Sequence, residues 1–187
     1  MKVGTKLITG CFFTFNFGTE GCDDGNTEDT SSEPITGIAR SALRGREGRE
    51  KDHELDLFAG VRDLLERLVK EGHLLAVATG KSRKGLDRSL SFHDMHDLFA
   101  DTRTADESFP KPHPAMLMEL SQSLMVPLER VLMIGDTTHD VLMAKNAGAD
   151  VVAVTYGAHP KEVLEQESPL HCVHNVNELA QWLSKHA

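Results

Sequence analysis

Short apolar segments alternate with helical patterns over residues 57–187, and this alternation limits the folds open to the chain. The apolar runs predict buried strands at residues 73–78, 98–100, 131–134, 150–155 and 171–173. Strands that alternate with helices form a parallel sheet covered on both faces. The expected fold class is therefore α/β, a three-layer Rossmann-like parallel sheet with helices on both faces.

Helical spacing of apolar residues separates these strands. Val61, Leu64, Leu65 and Leu68 predict a helix that ends at Gly72. Asn175 is placed to cap the last helix, with Glu178 at the capping-box position. Between these two, helices are predicted over residues 84–91, 114–125, 141–147 and 160–166.

The first 56 residues do not follow this alternation. Residues 6–17 predict one strand with buried aromatic side chains. Residues 18–32 are acidic and rich in Gly and Thr, which is typical of a loop, and residues 44–51 resemble a solvated, charged linker. We therefore predict a divergent, partly disordered N-terminal part over residues 1–56 and a core domain over residues 57–187, with weak order between Thr19 and His53.

Charge and cysteine content exclude several classes of protein. A formal net charge of −9 at pH 7 argues against a general binder of nucleic acid or of membrane surfaces. No segment reaches the roughly 18 apolar residues of a membrane span. Cys11, Cys22 and Cys172 are widely spaced and form neither a CxxC motif nor a zinc pattern. A reduced, cytoplasmic protein without a nucleic-acid or membrane partner is expected.

Two carboxylates follow the predicted strand at residues 131–134. This strand ends in Gly135 and Asp136, and Asp140 comes four residues later at the start of a helix. Two carboxylates held close at a strand end repel each other unless a cation lies between them, and oxygen ligands suit Mg²⁺. The alternative is an ordinary turn followed by a helix cap. The pattern alone leaves both interpretations open.

Two other loops carry candidate phosphate ligands. Residues 79–82, Thr-Gly-Lys-Ser, follow the strand at 73–78, where the Thr79 hydroxyl and the next backbone N–H groups are placed to bind phosphate oxygens. An ordinary strand-to-helix turn is the stronger interpretation of this segment by itself. Lys111 lies in a loop with Pro110, Pro112 and Pro114, which fix the backbone and present its charge rigidly. His113 in the same loop is predicted to be a cap or surface group.

Taken together, residues 78–82, Lys111-Pro112 and residues 135–140 with Ala147-Gly148 resemble the haloacid dehalogenase-like hydrolases. The sequences of these motifs are most similar to those of the phosphoglycolate-phosphatase-like branch. Any one of these motifs alone is weak, whereas three in this order are specific. The resemblance covers residues 57–187.

The resemblance implies a Mg²⁺-dependent phosphatase that hydrolyses a small phosphorylated metabolite, a phosphomonoester, through an aspartyl-phosphate. It implies that Asp136 binds Mg²⁺ and that Asp140 does so directly or through water. Thr79, the Gly80 N–H group and Lys111 would bind the phosphate, with Thr79 and Lys111 acting in catalysis.

The chain departs from the family in its first motif, Asp-x-Asp-Gly-Thr, whose first Asp is the nucleophile. One placement, at residues 14–19, replaces both carboxylates by Thr14 and Asn16. A second uses residues 23–27, which keep Asp-Gly at a shifted spacing. A third, anchored on residues 32–34, places Asp24 and Asn26 at the two key positions. Strand geometry favours the first placement, and carboxylate chemistry favours Asp24 as the catalytic residue.

The segment between this motif and Leu57 is also short for the helical cap of the family, so the cap is expected to be reduced or absent. A non-catalytic relative that binds phosphate or a partner through the same pocket is therefore the alternative to a phosphatase. Phosphomutase or dehalogenase chemistry on the same scaffold is a third hypothesis. Dehalogenation is the weaker of the two, because acidic metal ligands serve phosphate substrates.

Overall fold

The computed structural model describes the backbone of residues 10–13 and the chain from residue 57 to residue 186. The strands are β1 (Gly10–Phe13), β2 (Leu74–Ala78), β3 (Asp101–Arg103), β4 (Val131–Gly135), β5 (Asp150–Val154) and β6 (His171–Val173). The helices are α1 (Val61–Lys70), α2 (Arg83–Phe92), α3 (Ala115–Ser123), α4 (Thr138–Ala147), α5 (Lys161–Gln166) and α6 (Val176–His186). Single 3₁₀ turns span His96–Leu98 and Leu128–Arg130.

The six strands form one parallel sheet in the order β3-β2-β1-β4-β5-β6. β1 lies at its centre, and Phe13 pairs with Val77 of β2 on one side and with Ile134 of β4 on the other. The carboxyl ends of β2 and β4 therefore lie on either side of β1 at one edge of the sheet. Ligands of open α/β sheets bind at this edge.

Alternate residues of the central strands point to opposite faces, and each face has its own apolar core. Leu75 and Val77 pack with leucines of α1, α2 and α6, whereas Ala76 and Ala78 pack with residues of α3, α4 and α5. The predicted α/β fold class, with a parallel sheet and helices on both faces, is confirmed. None of the helices over residues 57–186 has the length and apolar character that a membrane crossing requires.

Two predicted elements are displaced along the chain. The prediction of a strand at residues 98–100 is wrong. Leu98 and Phe99 lie at the end of a 3₁₀ turn and pack into the core, and the strand follows at Asp101–Arg103. Among the described strands, β3 pairs only with β2 and lies at the edge of the sheet. An edge strand tolerates charged residues, so β3 lacks the apolar pattern by which the other strands were predicted. α4 begins at Thr138 rather than at Val141. Its first turn is polar, so the apolar spacing predicted the start of the helix three residues too late.

Only a small part of the N-terminal predictions falls on described residues. β1 lies within the strand predicted over residues 6–17. The loop, the linker, the weak order from Thr19 to His53 and the reduced cap lie outside the described residues, and the domain boundary near residue 57 stays a prediction.

Leu132 tests the position of β4 in the core. Its side chain is fully buried in the core on one face of the sheet, so replacement by alanine removes apolar contacts and leaves a cavity there. Leu132→Ala is expected to lower the free energy of unfolding by about 2–5 kcal/mol in a urea titration. Leu170, which is 57% exposed, is the matched control, and Leu170→Ala is expected to stay within about 0.5 kcal/mol of wild type. Equal losses for both variants would contradict the burial of β4.

Candidate functional site

Thr79 follows β2 at the edge of the sheet and is almost fully buried. Its backbone N–H donates to the carbonyl of Arg103 at 3.0 Å, which extends the pairing between β2 and β3. Its hydroxyl accepts the N–H of Lys81 at 3.1 Å, and this bond shapes the turn into α2 around the exposed Gly80. The segment 79–82 is therefore a turn with an internal hydrogen bond at the ligand-binding edge.

Asp136 and Asp140 are both buried beside the carboxyl end of β4. Thr137 and Asp140 form a capping box at the start of α4, in which Asp140 Oδ2 accepts the Thr137 N–H at 3.0 Å and the Thr137 hydroxyl at 2.8 Å. The Asp136 N–H also donates to Asp140 Oδ2, at 3.2 Å. A Cβ on Gly135 would lie 2.3 Å from Asp140 Cβ, so only glycine leaves room for this arrangement.

Lys111 reaches the same carboxylate from the opposite loop. Its Nζ donates to Asp140 Oδ1 at 2.7 Å, and the two side chains are 13% and 1% exposed, respectively. Asn146 of α4 donates to the carbonyl of Pro112 at 3.0 Å and so ties the loop to the helix that carries Asp140. The peptide bond between Lys111 and Pro112 is cis. His113 is exposed, as expected for a surface group, and its ring accepts the N–H of Ala115 at 3.2 Å, whereas the N-cap of α3 is Pro114.

A cavity of about 300 Å³ opens beside this ion pair. It brings together three of the predicted site residues, Gly80, Lys111 and Asp140. Thr79 and Asp136 are the chain neighbours of the lining residues Gly80 and Thr137. The remaining wall is mostly apolar, with one imidazole at its edge: Ala105, Pro110, Met116 and His139. The fold therefore assembles the residues that were predicted from three separate loops.

Arg83 joins the start of α2 to the loop that leads to Lys111. Its guanidinium forms a two-pronged hydrogen bond with Glu107, at 2.8 and 2.6 Å. These bonds lower the pKa of Glu107 to about 2. The Arg83 N–H donates to Asp106 at 2.9 Å, and the N–H of Ala105 donates to the carbonyl of Lys81 at 3.0 Å. The loop that leads to Lys111 is thus held against the turn that carries Gly80.

The segment that follows β5 also contacts the site, although its sequence did not predict this. Asp136 Oδ2 accepts the N–H of Ala158 at 2.8 Å, and the Asp136 carbonyl accepts the N–H of His159 at 3.1 Å. Burial raises the pKa of Tyr156 to about 12, and the negative charge of Asp136 adds to this shift. The available signal was a Tyr-Gly pair directly after a buried strand, the position that holds the other site residues.

Asp136 and Asp140 have the hard oxygen donors that suit Mg²⁺. Over residues 57–186, however, no group of three or more His, Cys, Asp or Glu side chains is arranged to hold a metal ion. Both oxygens of Asp140 accept hydrogen bonds from Lys111, Thr137 and the Asp136 N–H. The donor chemistry of the two carboxylates thus fits the ion, and further oxygen ligands would complete its coordination.

The predicted nucleophile cannot be compared with this geometry. Asp24, and the alternatives Thr14 and Asn16, lie outside the described residues. Their roles, like the metal roles of Asp136 and Asp140, stay predictions.

Comparison with known proteins identifies relatives of this chain. The family model for haloacid dehalogenase-like hydrolases matches residues 27–154. The chain is 32% identical over 135 residues to a phosphoglycolate phosphatase of Vibrio parahaemolyticus, which covers 71% of this chain and 59% of the relative. It is 32% identical over 138 residues to a putative pyrophosphatase PpaX of Caldanaerobacter subterraneus, which covers 72% and 62%.

Solved structures agree with the sequence relatives. The crystal structure of a predicted phosphoglycolate phosphatase from Haemophilus somnus superposes with a TM-score of 0.65 at 28% identity, over 71% of this chain and 58% of that one. A hydrolase from Pseudomonas syringae shares the fold with a TM-score of 0.70 at 24% identity, over 79% and 68%. The chain spans 59% and 62% of the length of the two sequence relatives.

Proposed function

The chain belongs to the haloacid dehalogenase-like hydrolases, and from this membership we propose that it is a Mg²⁺-dependent phosphatase of small phosphomonoesters. The observation that carries the proposal is the position of Lys111, whose ammonium group lies 2.7 Å from a buried carboxylate at the wall of a cavity that Gly80 also lines. A fixed cation in a partly closed site stabilises a phosphoryl group more strongly than a solvated one does.

The cavity supports a small substrate. Its volume of about 300 Å³ is at the lower end for ligand pockets, which suits a phosphorylated metabolite rather than a polymer. The relatives named above are called phosphoglycolate phosphatase and putative pyrophosphatase, and both names describe phosphate release from a compact substrate. Neither a nucleic-acid partner nor a membrane partner is part of the proposal, and the cysteine spacing supports a cytoplasmic location.

The proposed roles follow from position. The Thr79 hydroxyl and the Gly80 N–H bind phosphoryl oxygens, and Lys111 neutralises their charge while Asp140 holds it in place. Asp136, and Asp140 directly or through water, hold Mg²⁺, which when bound shields the phosphate charge from an attacking carboxylate. Asp24 is the proposed nucleophile, and its aspartyl-phosphate divides one difficult displacement into two. Most of the catalysis by the other residues is positioning and charge stabilisation.

An aryl phosphate assay, run with and without Mg²⁺, tests this function. The wild-type protein is expected to release phosphate only with Mg²⁺, and Asp136→Asn is expected to lose both the activity and the Mg²⁺ binding seen by calorimetry. Hydrolysis that persists without any divalent cation would contradict the metal role. A wild-type protein that binds Mg²⁺ and phosphate but releases no product would favour the non-catalytic relative instead.

A further inference from the structure

We propose that residues 157–159, here called the clamp segment, form a positioning element that fixes the Asp136 carboxylate beside the carboxyl end of β4. This inference rests on the proposed function, because it assumes that Asp136 binds the metal ion. The segment comes from the loop between β5 and α5, which is outside all of the motifs described above.

Three hydrogen bonds join the clamp segment to residues 136–138. The N–H of Ala158 donates to Asp136 Oδ2 at 2.8 Å, and the N–H of His159 donates to the Asp136 carbonyl at 3.1 Å. In return, the Thr138 N–H donates to Nδ1 of His159 at 3.2 Å. The clamp segment therefore holds the side chain of Asp136, its backbone and the start of α4 together.

Gly157 adds a steric limit. A Cβ at this position would lie 2.2 Å from Asp136 Oδ2 and 2.3 Å from Asp136 Cβ, far inside van der Waals contact. Gly157 does not have the left-handed φ that favours glycine, so its backbone would accept alanine. The side chain of Asp136 is therefore what excludes a larger residue here, and the backbone of the clamp segment lies directly against the carboxylate.

The clamp segment is also anchored to the core on both sides along the chain. Just before it, Tyr156 packs edge-on against Phe58, with ring centroids 5.0 Å apart, and is part of one apolar core. Just after it, α5 buries Leu164 completely in the other core. A segment anchored at both ends gives a fixed reference against which the carboxylate is oriented. Outer residues that orient metal ligands typically contribute 10–100-fold to metal affinity.

Calorimetric titration with Mg²⁺ is the first test. Gly157→Ala is expected to weaken Mg²⁺ binding 10–100-fold, because the carboxylate must move away from the new Cβ. Gly85→Ala is the matched control. Its Cβ would approach the Ser82 hydroxyl at 3.3 Å, within α2 and away from Asp136, and its Mg²⁺ affinity is expected to equal that of the wild type.

His159 provides a second, independent test. His159→Ala removes the acceptor of the Thr138 N–H and is expected to weaken Mg²⁺ binding, whereas His159→Asn keeps an acceptor at the place of Nδ1 and is expected to restore most of it. His96→Ala controls for the loss of a histidine. His96 lies on the 3₁₀ turn before β3, and its imidazole is hydrogen-bonded to Ser91 of α2. Equal affinities for wild type, Gly157→Ala and His159→Ala would overturn the proposal.

A double-mutant cycle separates this proposal from the proposed function. Gly157→Ala is expected to lower the melting temperature of the wild-type chain but not that of Asp136→Gly, in which the collision is gone. If the wild-type protein binds no Mg²⁺, the metal role fails and the cycle alone decides on the clamp segment. An equal loss in both backgrounds would mean that Gly157 does not act through Asp136, and would overturn the proposal.

Discussion

Replacing Lys111 with methionine is expected to reduce kcat for an aryl phosphate about 10²–10³-fold, the usual effect of removing one fixed donor to a developing negative charge. The change keeps an unbranched side chain, one heavy atom shorter than that of lysine, and removes its charge. The same variant is expected to lose affinity for inorganic phosphate, so the prediction can also be tested by a binding measurement. The ammonium group is held by Asp140 and by the loop bond from Asn146, and a neutral side chain cannot replace it.

Lys145→Ala is the matched control for this experiment. Its Nζ donates to the Glu167 carbonyl at 2.9 Å on the exposed side of α4, so the variant loses a lysine and one hydrogen bond away from the cavity. Kinetics and phosphate binding are expected to match wild type. Wild-type phosphate affinity and kcat in Lys111→Met would remove Lys111 from the site.

The sequence predicted the central sheet well because its strands are buried on both faces. β2, β4 and β5 are short apolar runs, as is typical of strands in a parallel sheet that is covered on both faces. The candidate site residues were predicted for a related reason. Each follows a strand end or lies in a rigid loop, and parallel strands bring their carboxyl ends to one edge. Thr79 and Asp136 come from β2 and β4, which lie on either side of β1.

Two features of the site could not be read from the sequence. The clamp segment acts mainly through backbone N–H groups, which every residue except proline carries, so its composition gives no sign of the contact with Asp136. Asp140 fitted both a ligand and a cap, since a spacing of four residues suits either one. The structure gives it a capping box with Thr137 and an ion pair with Lys111, and the ion pair depends on a loop from elsewhere in the chain.

Asp140→Ala is expected to lower the free energy of unfolding by about 3–5 kcal/mol, because it leaves the ammonium group of Lys111 in a buried site without its partner. Two backbone N–H groups, of Asp136 and Thr137, also lose their acceptor. A urea titration measures the loss. Asp87→Ala is the control. Asp87 forms an ion pair with Arg83, and the side chains of Arg83 and Asp87 are 33% and 49% exposed, respectively. An exposed ion pair contributes at most about 1 kcal/mol to the free energy of unfolding.

The double variant Lys111→Met/Asp140→Ala shows whether the charge pair is the cause. When both partners are removed, no unpaired charge stays buried, so the double variant is expected to be more stable than the sum of the two single losses predicts. The hydrogen bonds of the capping box are lost in either case, which keeps the double variant below wild type. Strictly additive losses would mean that Lys111 and Asp140 contribute independently, and that the 2.7 Å contact does not hold the ammonium group in place.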